Sequence, residues 1–123
     1  MKHILLVDDD PMTLEYLGDF LEEFAVIRKA SSGIEALNTL AFNLIFESCD
    51  MVVTDYTMPG MNGHQLAQAI KESWPDIKIL LHTGDTTIID SSHIDGIMYK
   101  PADRDVFKKT VCRLLGIESS PPR

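Results

Sequence analysis

Five short apolar runs, each separated from the next by a polar or helix-patterned stretch, constrain this chain more than any other feature. They are residues 3–7 (HILLV), 25–30 (AVIRKA), 51–54 (MVVT), 77–82 (IKILLH) and 96–99 (GIMY). The first, third and fourth are apolar almost throughout, as strands buried on both faces must be. The second carries Arg28 and Lys29 and reads as a strand nearer an edge. Between the runs, apolar residues recur at helical spacing. Met12, Leu14, Tyr16, Leu17, Phe20, Leu21 and Phe24 form the first set, and Ile34, Ala36, Leu37, Leu40, Ala41 and Leu44 the second. A third set holds Leu66, Ala67, Ile70 and Trp74, and a last one Val106, Phe107, Val111, Leu114 and Leu115. Pro11 after Asp10, and Asp103 ahead of the last set, mark helix starts; Pro75 and Gly116 mark helix ends. Strands alternating with helices predict an α/β fold, a parallel sheet covered on both faces. Ligands of such sheets lie beyond the carboxyl ends of the strands, where the strand order reverses.

Composition narrows the class. A chain of 123 residues makes one ordinary domain, and 45% hydrophobic with 24% charged residues suits a globular one. Residues 1–117 are expected to form the domain, with 118–123 (ESSPPR) a tail or linker. Nineteen acids against eleven bases leave a net charge of −8, the wrong sign for direct contact with nucleic acid. No apolar run approaches the length that spans a bilayer. Residues 1–3 leave no room for a signal peptide ahead of the first strand, and Cys49 and Cys112 lack C-x-x-C spacing. Buried reduced thiols and a cytoplasmic location are expected.

The strand ends carry the chemistry. Asp8, Asp9 and Asp10 follow the first run, Asp55 the third, Thr83 the fourth and Lys100 the fifth. Carboxylates gathered at one edge repel unless a hard cation separates them, and Mg²⁺ takes few protein oxygens while binding phosphate. A hydroxyl and an ammonium beside it suit a phosphoryl group. Asp10 reads as a cap for the first helix rather than a ligand. His3, His64, His82 and His93 have no metal-ligand spacing, and His82 is expected to be packed.

These residues resemble a known family. Residues 55–63 (DYTMPGMNG) fit D-x-x-M-P-x-M-x-G, the phosphoacceptor motif of bacterial response-regulator receiver domains. Asp8-Asp9, Thr83-Gly84 and Lys100-Pro101 match the family's other signatures in order, and the resemblance runs from about Lys2 to Gly116. It implies a flavodoxin-like (CheY-like) five-stranded parallel sheet of order 2-1-3-4-5 with helices on both faces. It implies phosphoryl transfer onto Asp55 from the phosphohistidine of a sensor histidine kinase or a phosphotransfer protein. It also implies Mg²⁺ on Asp9, Asp55 and the Thr57 carbonyl, with Asp8 acting through water. Thr83 would hydrogen-bond the phosphoryl group, and Lys100 would pair first with the carboxylate and then with the phosphoryl oxygens. Such a chain catalyses only its own phosphorylation and dephosphorylation and is not otherwise an enzyme.

Two departures stand out. The aromatic residue usual three positions before the lysine is Ile97, and Tyr99 stands next to Lys100 instead. Thr83 to Lys100 spans 17 positions, fewer than usual, so the fourth helix is expected to be short, irregular or missing. Two rival functions share this fold class. One is an interaction module that signals without phosphorylation, against which the intact Asp9, Asp55, Thr83 and Lys100 argue. The other is a Mg²⁺-dependent phosphatase with an aspartyl nucleophile, whose D-x-D motif is missing where Asp55 is followed by Tyr56 and Thr57.

Overall fold

The computed structural model describes residues 1–42, 49–87 and 92–117. The elements run β1 (Lys2–Val7), α1 (Pro11–Leu21), β2 (Ala25–Ala30), α2 (Gly33–Ala41), β3 (Met51–Thr54), α3 (Gly63–Ser73), β4 (Lys78–Thr83), β5 (Gly96–Tyr99) and α4 (Arg104–Leu115). All strand pairs are parallel, and the sheet order is β2-β1-β3-β4-β5. The order expected from the resemblance is the one observed, with β2 on the edge.

Side chains alternate across each strand, so the buried runs feed two cores. Ile4, Leu6, Met51, Val53 and Leu80 pack with Leu14, Leu17 and Leu21 of α1 and with Phe107 and Val111 of α4. Leu5, Val7, Val52 and Ile79 pack with Ala36 of α2 and with Leu66, Ala67 and Ile70 of α3. Among the described residues, two helices therefore cover each face. No helix of the described residues is long and apolar enough to cross a membrane. Cys49 and Cys112 are free thiols, and burial pushes the Cys49 thiol up to about 11.

Local chemistry starts and stops the helices. Asp10 accepts from the Met12 amide with Pro11 in the first turn, as expected of its capping role. Asn62 and Gln65 close a reciprocal capping box on α3, and Asp103 accepts from the Val106 amide. Gly116 ends α4 in the left-handed conformation, φ 72°, which glycine adopts without a Cβ penalty.

Three residues depart from the helical faces assigned to them. Met12, Ile34 and Val106 are exposed, by 74%, 58% and 53%. Met12 and Ile34 each stand two residues before a buried residue, Leu14 and Ala36, which is about 200° around the helix and so the wet side. Val106 is one step, about 100°, from buried Phe107. Thr13 is buried instead, against the hydrophobic pattern. Four helices are described where the alternation suggested roughly five. The described residues between β4 and β5 contain no helix; residues 88–91, like Leu44 and the tail at 118–123, lie outside the described residues.

Candidate functional site

Strand order reverses between β1 and β3, and their carboxyl ends form the crevice where a ligand is expected. Backbone hydrogen bonds just beyond the strands fix two of the acids there. The Asp8 amide donates to the Ala30 carbonyl at 3.2 Å and the Asp55 amide to the Val7 carbonyl at 3.0 Å. The carboxylates of Asp8, Asp9 and Asp55 each bring one oxygen within 4.8 Å of the others. Asp8 and Asp55 are buried, 2% and 7% exposed, whereas Asp9 is open to solvent.

Lys100 enters from the end of β5. Its amide donates to the Thr83 carbonyl at 2.8 Å, which locks the lysine to the end of β4. Its Nζ lies 3.0 Å from Asp8 Oδ2 and 3.2 Å from Asp55 Oδ2. The pair with Asp55 is the one expected; the pair with Asp8 is an addition that spacing could not reveal. Burial disfavours the Asp8 carboxylate and raises its pKa overall, although the Asp10 amide and the Lys100 ammonium pull it back. Burial works against the Lys100 ammonium too, but its contacts with Asp8 and Asp55 outweigh that and hold its pKa above the ordinary value. Three carboxylates against one ammonium leave two formal negative charges in the crevice. Hard oxygen donors and that charge fit a divalent cation such as Mg²⁺.

Thr83 is 1% exposed. Its hydroxyl oxygen accepts from the Asp85 amide at 3.0 Å. Thr57 is exposed in the loop after Asp55, and its amide faces Asp55 Oδ1 at 3.4 Å. That loop is pinned to the start of α3, where the Gly63 amide donates to the Tyr56 carbonyl at 2.8 Å. A Cβ on Gly63 would collide with the Asp55 carbonyl oxygen and lie 2.9 Å from Tyr56 Cα. Glycine is thus required for close approach, and the end of the D-x-x-M-P-x-M-x-G pattern has a steric reason.

Behind the site, His82 is packed as expected, 1% exposed, its ring centre 6.4 Å from that of Tyr16 and 6.3 Å from that of Phe107. Neither ring nitrogen has a hydrogen-bond partner among the described residues. Burial, with the charge of Lys100 adding to it and Asp55 opposing, pushes its pKa down to about 4. The rings of His64 and His93 pack against each other at a tilt of 54°, their centres 5.9 Å apart.

Comparison with known proteins agrees with this geometry. The family model of the response regulator receiver domain matches residues 4–111. The chain belongs to that family. Among relatives, it is 32% identical over 114 residues to the sensor histidine kinase RcsC of Salmonella typhimurium, covering 88% of this chain and 12% of the kinase. It is 33% identical over 116 residues to the transcriptional regulatory protein GlrR of Escherichia coli, covering 89% of this chain and 25% of the regulator. The chain therefore spans between about an eighth and a quarter of these relatives. The response regulator TrrA of Thermotoga maritima, solved in complex with Mg²⁺-BeF, superposes with a TM-score of 0.81 at 35% identity, covering 93% of this chain and 99% of that one. A CheY-like receiver domain protein from Methanospirillum hungatei gives 0.85 at 24% identity over 94% of both chains, a likeness of fold.

Proposed function

We propose that this receiver domain takes a phosphoryl group from the phosphohistidine of a sensor histidine kinase or a phosphotransfer protein onto Asp55. One observation carries the reading: a buried carboxylate at the strand-order reversal, held by a lysine at 3.2 Å, with two further carboxylates beside it. A carboxylate oxygen of Asp55 forms the new P–O bond. The P–N bond of the donor breaks, and its electron pair returns to the imidazole nitrogen. Asp8, Asp9, Asp55 and the Thr57 carbonyl would hold Mg²⁺, with Asp8 acting through water; when bound, the ion would offset charge on the phosphoryl oxygens.

The protein's own groups do the rest. Lys100 bonds Asp8 and Asp55 in the free chain, and the Asp55 carboxylate is the partner that changes on transfer. The ammonium then follows the charge to the phosphoryl oxygens, while Asp8 keeps it anchored. Thr83 donates its hydroxyl to another of those oxygens. Positioning and charge neutralisation of this kind are what phosphoryl transfer asks of a protein. The chain turns over no substrate beyond its own phosphorylation and dephosphorylation, and it acts in the cytoplasm. The whole domain, residues 1–117, is the unit that signals.

Incubation with Mg²⁺ and acetyl phosphate, followed by intact mass, tests the reading. The wild type gains one phosphoryl group and Asp55→Asn, nearly isosteric but a poor nucleophile, gains none. An Asp55→Asn protein modified at the wild-type rate overturns it.

A further inference from the structure

The described residues after Thr83 fold back onto its hydroxyl. Asp85 Oδ1 accepts from the Thr87 amide at 2.9 Å and from the Thr87 hydroxyl at 2.6 Å. That closed turn fixes the backbone of Asp85, whose amide donates to Thr83 Oγ1 at 3.0 Å. The space around Gly84 is open, since a Cβ there would meet nothing within 4 Å. A hydroxyl has one proton and two acceptor lone pairs. Here one lone pair is taken by a backbone N–H, and the proton has no acceptor among the hydrogen bonds of the described residues. The bonds from Thr87 also hold the Asp85 carboxylate below its ordinary pKa.

We propose that Asp85 and Thr87 are positioning residues: their turn presents an amide to Thr83 Oγ1 and so commits the threonine hydroxyl to donating toward the phosphoryl site. This rests on the reading of Thr83 as the hydroxyl that meets a phosphoryl oxygen. Neither Asp85 nor Thr87 touches the reacting atoms. An accepted N–H bond restricts the rotor and polarises the O–H, which makes it the better donor. Thr87 is exposed and outside every signature that the sequence carries, so spacing alone does not single it out.

The distinguishing experiment is a double-mutant cycle read by affinity for beryllofluoride in Mg²⁺. Thr87→Val keeps the shape of the side chain and removes its hydroxyl. In the wild-type background it weakens beryllofluoride binding about three- to tenfold, and Thr87→Ser restores it; in the Thr83→Ala background the same change costs less than about twofold. An equal loss in both backgrounds overturns the proposal, because Thr87 would then act without Thr83. Amide hydrogen exchange by NMR on the unphosphorylated chain gives a readout independent of Asp55 chemistry. The Asp85 amide is protected in the wild type and loses protection in Thr83→Val and in Thr87→Val. An unprotected Asp85 amide in the wild type equally overturns the clip, whatever Asp55 does.

Discussion

Thr83, Lys100 and His82 meet within a few residues of one another, yet they answer to different physics. Lys100 is charged because two carboxylates outweigh its burial; His82 is neutral because burial and the Lys100 charge outweigh the one opposing charge, that of Asp55. A buried imidazole with both nitrogens unpartnered costs on the order of 1–3 kcal/mol. Its pKa falls from the ordinary 6.5 to about 4 on folding. Between those values the unfolded chain binds more protons than the folded one, so His82 makes stability fall as pH drops below 6.5, and the loss is complete below about 4. The full span is worth about 3 kcal/mol. Asp8, raised on folding, contributes the opposite slope just above 3.8. Denaturant unfolding of wild type and His82→Leu therefore isolates the histidine as a difference. Leucine raises stability by about 1–2 kcal/mol at pH 7, and its advantage grows toward pH 5. An advantage that stays constant with pH would show that His82 is solvated.

At the scale of elements, the sequence was most readable where one residue type has one physical use. Asp10 and Asp103 cap helices because their side chains reach orphan amides, and the patterns around them gave two helix starts; Asn62 caps α3 in the same way but was not singled out in the sequence. Apolar runs gave β1, β3 and β4 because strands buried on both faces tolerate little else, while β2 and β5, partly exposed at the edges, were legible as short runs among helical patterns. Periodicity failed for Met12, Ile34 and Val106 because an apolar residue at a helix start fits the pattern without fitting the face. It also missed the Asp8–Lys100 pair, which joins residues 92 positions apart through tertiary packing alone. The segment between β4 and β5 was expected to hold a short, irregular or missing fourth helix, and its described residues hold none. Its described ends are tied. The turn at Asp85 closes on Thr83, and Asp95 exchanges hydrogen bonds with Ile79 while its carboxylate meets Lys71 at 2.9 Å. The loop after Asp55 offers the sharpest test of element placement. Gly63→Ala forces α3 away from the Asp55 carbonyl, and it should destabilise the chain by about 2 kcal/mol or more. It should also slow phosphorylation, since the same loop aims Asp55. Unchanged stability and rate in Gly63→Ala would mean that α3 and the acceptor loop are not in contact.

Across the whole molecule, an excess of acids converges on one crevice, and stability becomes linked to whatever balances them. Asp8, Asp9 and Asp55 are held together by the fold against their mutual repulsion, with Lys100 offsetting part of it. Mg²⁺ binding to the folded state alone would add RT ln(1 + [L]/Kd), about 2.7 kcal/mol at one hundred times Kd. Thermal unfolding should show that rise for the wild type. Asp9→Asn should weaken Mg²⁺ on the order of tenfold or more, while raising Tm without metal by relieving repulsion. An Mg²⁺ affinity unchanged by titration would remove Asp9 from the ligand set. The central claim is narrower than metal binding: one carboxylate, Asp55, becomes an acyl phosphate. Reduction of the Mg²⁺- and acetyl-phosphate-treated chain with borotritide, followed by peptide mapping, tests it most directly, because an acyl phosphate is reduced to an alcohol and carries the label with it. The label should appear at residue 55 alone and vanish when acetyl phosphate is omitted; label at Asp8, Asp9 or Asp85, or none at residue 55, would contradict it.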